Sequence, residues 1–243
     1  MTVDRGQGAR EVAAIDASRA AAVLLAAGES RRMGGINKLL VEVDGVPMVR
    51  RMVAAIRGAG VGEIVLVLGH QADRIEPLVR DLGVTLLRHA GYAKGQQGSV
   101  LAGLRALSAA ADPVMVVLGD LPLLEPADIT ALLAAFAARP PGARVLVPRH
   151  EGRRGNPVVV ERWVADRVRA EQDADAGLRG FIDAHRDIVA SFDAPSDHYV
   201  FDLDTPADIE RLERRIGRPV REGVGSGSGD RSGPTASGAQ GDQ

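Results

Sequence analysis

The chain has 243 residues, 45% of them hydrophobic and 26% charged, a length and balance that fit one α/β domain and exclude wholesale disorder, collagen-like repeats and a coiled coil. Thirty Lys and Arg against 32 Asp and Glu leave a net charge of -2, without the basic excess that holds a polyanion, so nucleic acid is not expected as a partner. The absence of cysteine removes disulfides, thiolate metal sites and cysteine nucleophiles and leads us to expect a cytoplasmic protein.

Residues 1–19 mix charge and small residues and are expected to be a flexible N-terminal segment. The apolar run Ala20 to Ala27 follows Asp4, Glu11 and Asp16 instead of a positive region, so it is a buried strand and not a signal peptide. No run approaches the roughly 20 apolar residues that span a bilayer, and no membrane association is expected. Further Val- and Leu-rich runs at Val23 to Ala26, Ile64 to Leu68, Val84 to Leu87, Val114 to Leu118 and Val145 to Val147 predict strands buried on both faces.

Helices are predicted between these runs. One opens at Pro47, uses Met48, Val49, Met52, Val53 and Ile56, and stops at Gly58 and Gly60; others start near Asp73, Ser99 and Pro126. The alternation gives an α/β fold, a single Rossmann-like three-layer domain with a mostly parallel mixed sheet, and directs attention to the residues just beyond the strand ends. Pro157 to Val160 and Val200 to Leu203 are also expected as strands. Trp163 to Ala170 and Gly177 to Ala184 are expected as helices, with a last one capped by Thr205 and Asp208 and running through Ile216. The domain is set at 20–217, and 218–243 is taken as a disordered Gly/Ser-rich tail.

Three segments carry chemistry. In AAVLLAAGESRRMGGINK, residues 21–38, a strand runs into small residues, two arginines, paired glycines and a lysine, a loop suited to a triphosphate but matching neither the Walker nor the dinucleotide pattern. In VMVVLGDLP, residues 114–122, Asp120 stands just past a strand, where a carboxylate can hold Mg²⁺, although a Gly-Asp turn alone is common. In FDLDTPAD, residues 201–208, strand alternation puts Asp202 and Asp204 on one side before a helix start, an arrangement that favours a cation. HAGYAKGQQGSV, residues 89–100, offers Gly95 and Ser99 at a helix start, and the turn Gly155-Asn156-Pro157 could line an acceptor pocket. The five histidines lack zinc spacing, and no serine-hydrolase elbow occurs.

In this order, the glycine-lysine loop, GDLP, GNPV and DLDTPAD resemble the MobA-like nucleotidyltransferase family from about Ala21 to Ile216. AAGES, YAKGQQGSV and GNP are most similar to its molybdenum cofactor cytidylyltransferase branch, since the guanylyltransferase branch usually has a double glycine where this chain has Ala27-Gly28. The resemblance implies transfer of CMP from CTP, or of another nucleotide from its triphosphate, onto a phosphorylated acceptor such as molybdopterin, with a molybdenum hydroxylase as a downstream partner. It implies nucleotide contacts at Leu25, Ala26, Ala27, Gly28, Arg32, Lys38, Gly95 and Ser99, with Arg32, Lys38 and Asp120 catalytic. Mg²⁺ would be held by Asp120 with Asp202 or Asp204, and the acceptor by Gly155, Asn156 and Pro157. The loop has one residue more than the family pattern between glycine and lysine, so Gly35 fills the family glycine position if Lys38 keeps its role. Transfer to another phosphorylated acceptor, an oxidoreductase on the same fold and a cofactor carrier are the alternatives. Both acidic clusters together with Lys38 favour catalysis over carriage.

Overall fold

The computed structural model describes residues 15–170 and 177–223. In chain order its elements are β1 (Ala21–Ala26), β2 (Val41–Val43), β3 (Val46–Pro47), α1 (Met48–Gly58), β4 (Glu63–Leu68), α2 (Ala72–Ile75), β5 (Thr85–Arg88), α3 (Gln96–Ala106) and β6 (Val114–Leu118). They continue with α4 (Pro126–Ala137), β7 (Val145–His150), β8 (Arg153–Arg154), β9 (Val158–Val160), α5 (Arg162–Ala170), α6 (Gly177–Ala184), β10 (Val189–Asp193), α7 (Pro206–Ile216) and β11 (Val220–Glu222).

The main sheet runs β10-β7-β9-β6-β1-β4-β5, with β8 paired to β7. Its neighbours are parallel except around β9, which is antiparallel to both β6 and β7, and β8, which is antiparallel to β7. β1 is buried on both faces, which is why it reads as an unbroken apolar run. Its alternation splits the core in two. Ala22, Leu24 and Ala26 join Met52 and Ile56 of α1 and Leu132 and Phe136 of α4 on one side. Ala21, Val23 and Leu25 join Leu104 of α3, Val168 of α5 and Phe181 of α6 on the other. This is the expected three-layer arrangement. Register pairs Leu25 with both Val67 and Leu118, so the carboxyl ends of β1, β4 and β6 lie level and their loops meet above the centre of the sheet.

Several local expectations change. Val200 to Leu203 is not a strand: the segment lies across the strand ends, where the Leu203 N–H donates to the Asp120 carbonyl at 3.0 Å. The sheet edge is instead β10, whose alternating polar residues and half-buried setting hide it from an apolar-run search. α3 starts at Gln96, three residues before Ser99, and Pro47 lies in β3 at the cap of α1. The boundary at 217/218 falls short, because β11 pairs antiparallel with β2 and the Gly223 N–H donates to the Leu40 carbonyl at 3.1 Å. Of the segment expected to be flexible, residues 17–19 form a 3₁₀ turn whose Ser18 N–H donates to Asp16 at 3.0 Å. Residues 1–14 and 224–243 lie outside the described residues.

Candidate active site

The loop after β1 is built to hold Lys38 in a fixed place. Met33 is fully buried and pins the 3₁₀ turn Arg31–Met33, after which Gly34 and Gly35 carry φ of 65° and 97°, a left-handed turn that favours glycine. Asn37 is buried: its side-chain oxygen accepts the Leu39 N–H at 3.0 Å and its amide donates to Gln71 at 3.1 Å. The Lys38 N–H donates to the Ser30 hydroxyl at 3.3 Å, so the backbone at this position is tied on both sides.

Asp120 arrives from β6. The Gly119 N–H donates to the Leu25 carbonyl at 3.0 Å, and a Cβ on Gly119 would lie 2.7 Å from that same oxygen, so only glycine lets the chain pass. Asp204 is set by the cap of α7. Asp208 accepts from the Asp204 N–H at 3.0 Å and from the Thr205 N–H and hydroxyl, each at 2.8 Å, and thereby fixes the turn that aims Asp204 inward.

These elements bring three carboxylates and two cations together. The Lys38 Nζ donates to Asp120 Oδ2 at 2.5 Å and to Asp204 Oδ1 at 3.0 Å, while the Arg32 guanidinium donates to Asp204 Oδ2 at 2.7 Å. Burial works against the charge of Lys38, but Asp120 and Asp204 outweigh it and hold the ammonium pKa above the ordinary lysine range. Burial likewise works against Asp204, yet the bond from Lys38 and the charge of Arg32 hold its carboxyl below the usual range. Asp202 goes the other way: burial, then the charges of Asp120 and Asp204, push its carboxyl up. It makes no ion pair among the described residues. Asp120 is 8% exposed and its Oδ1 has no hydrogen-bond partner among the described residues.

The cluster stands in a cleft of about 560 Å³ whose lining includes Leu25, Ala27, Gly28, Arg32, Lys38, Gly95, Ser99, Asp120, Asp202 and Asp204. Ala26 does not line it, because strand alternation turns its side chain to the α1/α4 core. Arg31, the first of the two arginines expected to face a triphosphate, also lines the cleft, as do Glu29, Ser30, Tyr92 and Gln96, which were not singled out as site residues from the sequence. Arg31 is paired with Glu29 at 2.6 Å. Tyr92 and Gln96 had no signal beyond lying in the YAKGQQGSV segment.

A second cavity of about 340 Å³ shares Gln96 and Leu118 with the first and is walled by Val100, Val116, Val158, Leu178 and Ile182, with Gln97, Arg154, Asn156 and Arg179 as its polar groups. Of the expected acceptor turn only Asn156 lines it. Gly155 serves the backbone: a Cβ there would lie 2.5 Å from the Tyr199 carbonyl, and its N–H donates to the Pro148 carbonyl at 2.8 Å. Pro157 leads into β9 and lines neither cavity.

A model of the MobA-like NTP transferase domain matches residues 22–189, more than half of the chain and including the Lys38 loop and Asp120. The chain belongs to the MobA-like NTP transferase family. Its sequence is 34% identical over 159 residues to the bifunctional protein GlmU of Geobacter sulfurreducens, a match covering 64% of this chain and 33% of that protein. The chain spans about a third of the length of the first curated relatives it matches. Among solved structures it resembles a nucleotidyl transferase from Methanothermobacter thermautotroptrophicus, with a TM-score of 0.68 and 22% identity over 81% of this chain and 96% of the other. It also resembles a Mycobacterium tuberculosis H37Rv protein solved in complex with manganese, with a TM-score of 0.58 and 21% identity over 79% and 96%. The oxidoreductase alternative has no support in these relatives. No helix of the described residues is long and apolar enough to cross a membrane.

Proposed function

We propose that this MobA-like transferase moves CMP from CTP onto the phosphate of molybdopterin and releases pyrophosphate. The observation that carries nucleotidyl transfer is the Lys38 ammonium held between Asp120 and Asp204, beside Arg32, in the cleft at the carboxyl end of the sheet. Two cations there can turn from carboxylate to triphosphate oxygens, for which Arg and Lys are both suited. Ala27-Gly28 in place of a double glycine, and the GQQGSV start of α3 with Ser99 in the cleft, support cytosine as the base.

The donor set fits a hard divalent cation such as Mg²⁺. Among the described residues, Asp120 Oδ1 is a buried carboxylate oxygen without a partner, and Asp202 is a second carboxylate that no cation pairs with. Asp204 fits less well, because both its oxygens already accept from Lys38 and Arg32. Asp120 and Asp202 are therefore the residues we assign to the metal, which when bound would neutralise triphosphate charge.

In the reaction an acceptor phosphate oxygen forms a bond to the α-phosphorus as the bond to the β-phosphate oxygen breaks, and pyrophosphate carries away the electron pair. No protein base is needed for a phosphate nucleophile already ionised near neutral pH. Lys38 and Arg32 hold the triphosphate, the small residues after β1 allow the nucleotide to approach the backbone, and the adjoining cavity at Asn156 receives the acceptor. The finished cofactor would pass to a molybdenum hydroxylase. Incubation with CTP, GTP, ATP or UTP, each with Mg²⁺ and molybdopterin, should give pyrophosphate release that is highest with CTP. Equal or higher release with GTP contradicts the choice of base, and release with none of the four contradicts the transfer.

A further inference from the structure

The ammonium of Lys38 occupies the ground on which a divalent cation would have to sit. It bridges Asp120 and Asp204 at 2.5 and 3.0 Å, and among the described residues no group of three Asp, Glu, His or Cys side chains is disposed to hold a metal as it stands. Yet one oxygen of Asp120, a residue more than nine-tenths buried, is left without a partner among the described residues in the same place. A buried carboxylate half-satisfied by lysine is poised to take a second or replacement cation.

We propose that Lys38 is a resident cation that keeps divalent metal out of the free protein until a nucleoside triphosphate draws its ammonium away. This rests on the nucleotidyl-transfer reading of the cleft and adds an order of events to it. The backbone of Lys38 is fixed by Ser30 and by the Asn37 cap, so the exchange needs only rotation of a four-carbon stem. A divalent ion approaching the free protein meets a positive charge already paired to Asp120. Once triphosphate oxygens accept the Lys38 ammonium, Oδ2 of Asp120 is released beside its already unpartnered Oδ1, and Asp120 and Asp202 together are open to a divalent cation. Metal and triphosphate then bind with positive coupling, and by linkage each raises the affinity of the other by the same factor. Arg32, with 70% of its side chain exposed, can remain on Asp204 or follow Lys38 at little cost.

The experiment is Mn²⁺ binding, followed by loss of the free-ion paramagnetic signal, in the full chain with and without α,β-methylene-CTP and corrected for Mn²⁺ held by the analogue alone. Wild-type protein should bind Mn²⁺ weakly and gain at least tenfold in affinity with the analogue. Lys38→Met should bind Mn²⁺ at least tenfold more tightly than wild type without any nucleotide, and its gain from the analogue should shrink. Adding Asp120→Asn to Lys38→Met should abolish the tighter binding, and Lys38→Gln should reproduce Lys38→Met, with circular dichroism confirming each fold. If Lys38→Met and Lys38→Gln, both folded, bind Mn²⁺ no more tightly than wild type, or if the gain survives Asp120→Asn, the exchange is wrong while wild-type pyrophosphate release from CTP would leave the transfer reading standing. If wild type neither binds Mn²⁺ with the analogue nor releases pyrophosphate from CTP, both fall.

Discussion

Replacing Asp120 by Asn removes one charge while keeping the side chain's shape. Lys38 and Asp120 are 16% and 12% exposed at their side chains, so water screens their pairing little. At the 2.5 Å separation of this pair the direct attraction is about 7 kcal/mol for an effective dielectric of about 20, but most of that is offset by desolvation returned when the carboxylate is neutralised. Lys38 also keeps Asp204 at 3.0 Å, and the substituted amide oxygen can still accept from it. The net loss of stability should therefore be only about 1 kcal/mol. In the proposed transfer turnover has no such compensation, because there Asp120 would supply a charge that stays fixed while the triphosphate binds and pyrophosphate leaves. Losing an electrostatic contact of this kind costs about 3–4 kcal/mol of transition-state stabilisation, or 10²–10³ in kcat. The assay is pyrophosphate release under saturating CTP and Mg²⁺, with circular dichroism and thermal melting as folding controls. A folded Asp120→Asn protein that turns over within tenfold of the parent would refute the reasoning.

Asp202→Asn should raise the Mg²⁺ concentration needed for half-maximal turnover, whereas Asp204→Asn, which loosens Lys38 and Arg32, should chiefly raise KM for the nucleotide; metal titrations and nucleotide titrations of the two variants check the split. Burial works against the charge of Asp208, but the Thr205 hydroxyl and the Asp204 and Thr205 N–H groups outweigh it and hold its pKa below the ordinary value. Its contribution is then fully present above the unfolded carboxylate pKa and is lost as pH falls through the lower folded value, so Asp208→Ala should cost about 1–2 kcal/mol at pH 7 and progressively less as pH falls below the ordinary aspartate range, read by denaturant unfolding. Ending the chain at Pro219 removes β11 from β2 and the Val220 N–H bond to Glu213, and should lower Tm by several degrees, on the order of 2–8 °C, whereas ending it at Gly223 should leave Tm unchanged.

How much of the molecule could be read from its residues depends on how each segment is buried. β1, β4 and β6 are covered on both faces, so their apolar runs stand out and their ends locate the Lys38 loop and Asp120. β10 is a half-buried edge and β11 pairs chiefly through its backbone, and neither leaves an apolar pattern to find. Val200 to Leu203 has the composition of a strand, but its hydrogen bonds go to loop carbonyls, a tertiary matter that composition does not carry. Asp202 and Asp204 nevertheless both reach the cleft, although strand alternation, the reason for expecting it, does not apply there. Ala26 shows the opposite lapse, since period-two alternation in β1 already separates it from Leu25 and Ala27. The bridging place of Lys38 could not be read at all, because it joins residues 82 and 166 positions apart in the chain.

The most direct test of nucleotidyl transfer follows the label from CTP carrying ³²P at either the α- or the γ-phosphate, with Mg²⁺ and molybdopterin. α-Label is expected on the acceptor and γ-label in pyrophosphate, in equal amounts and both dependent on Asp120. Label on the acceptor from the γ-position, or pyrophosphate formed without any α-label reaching the acceptor, would contradict the transfer.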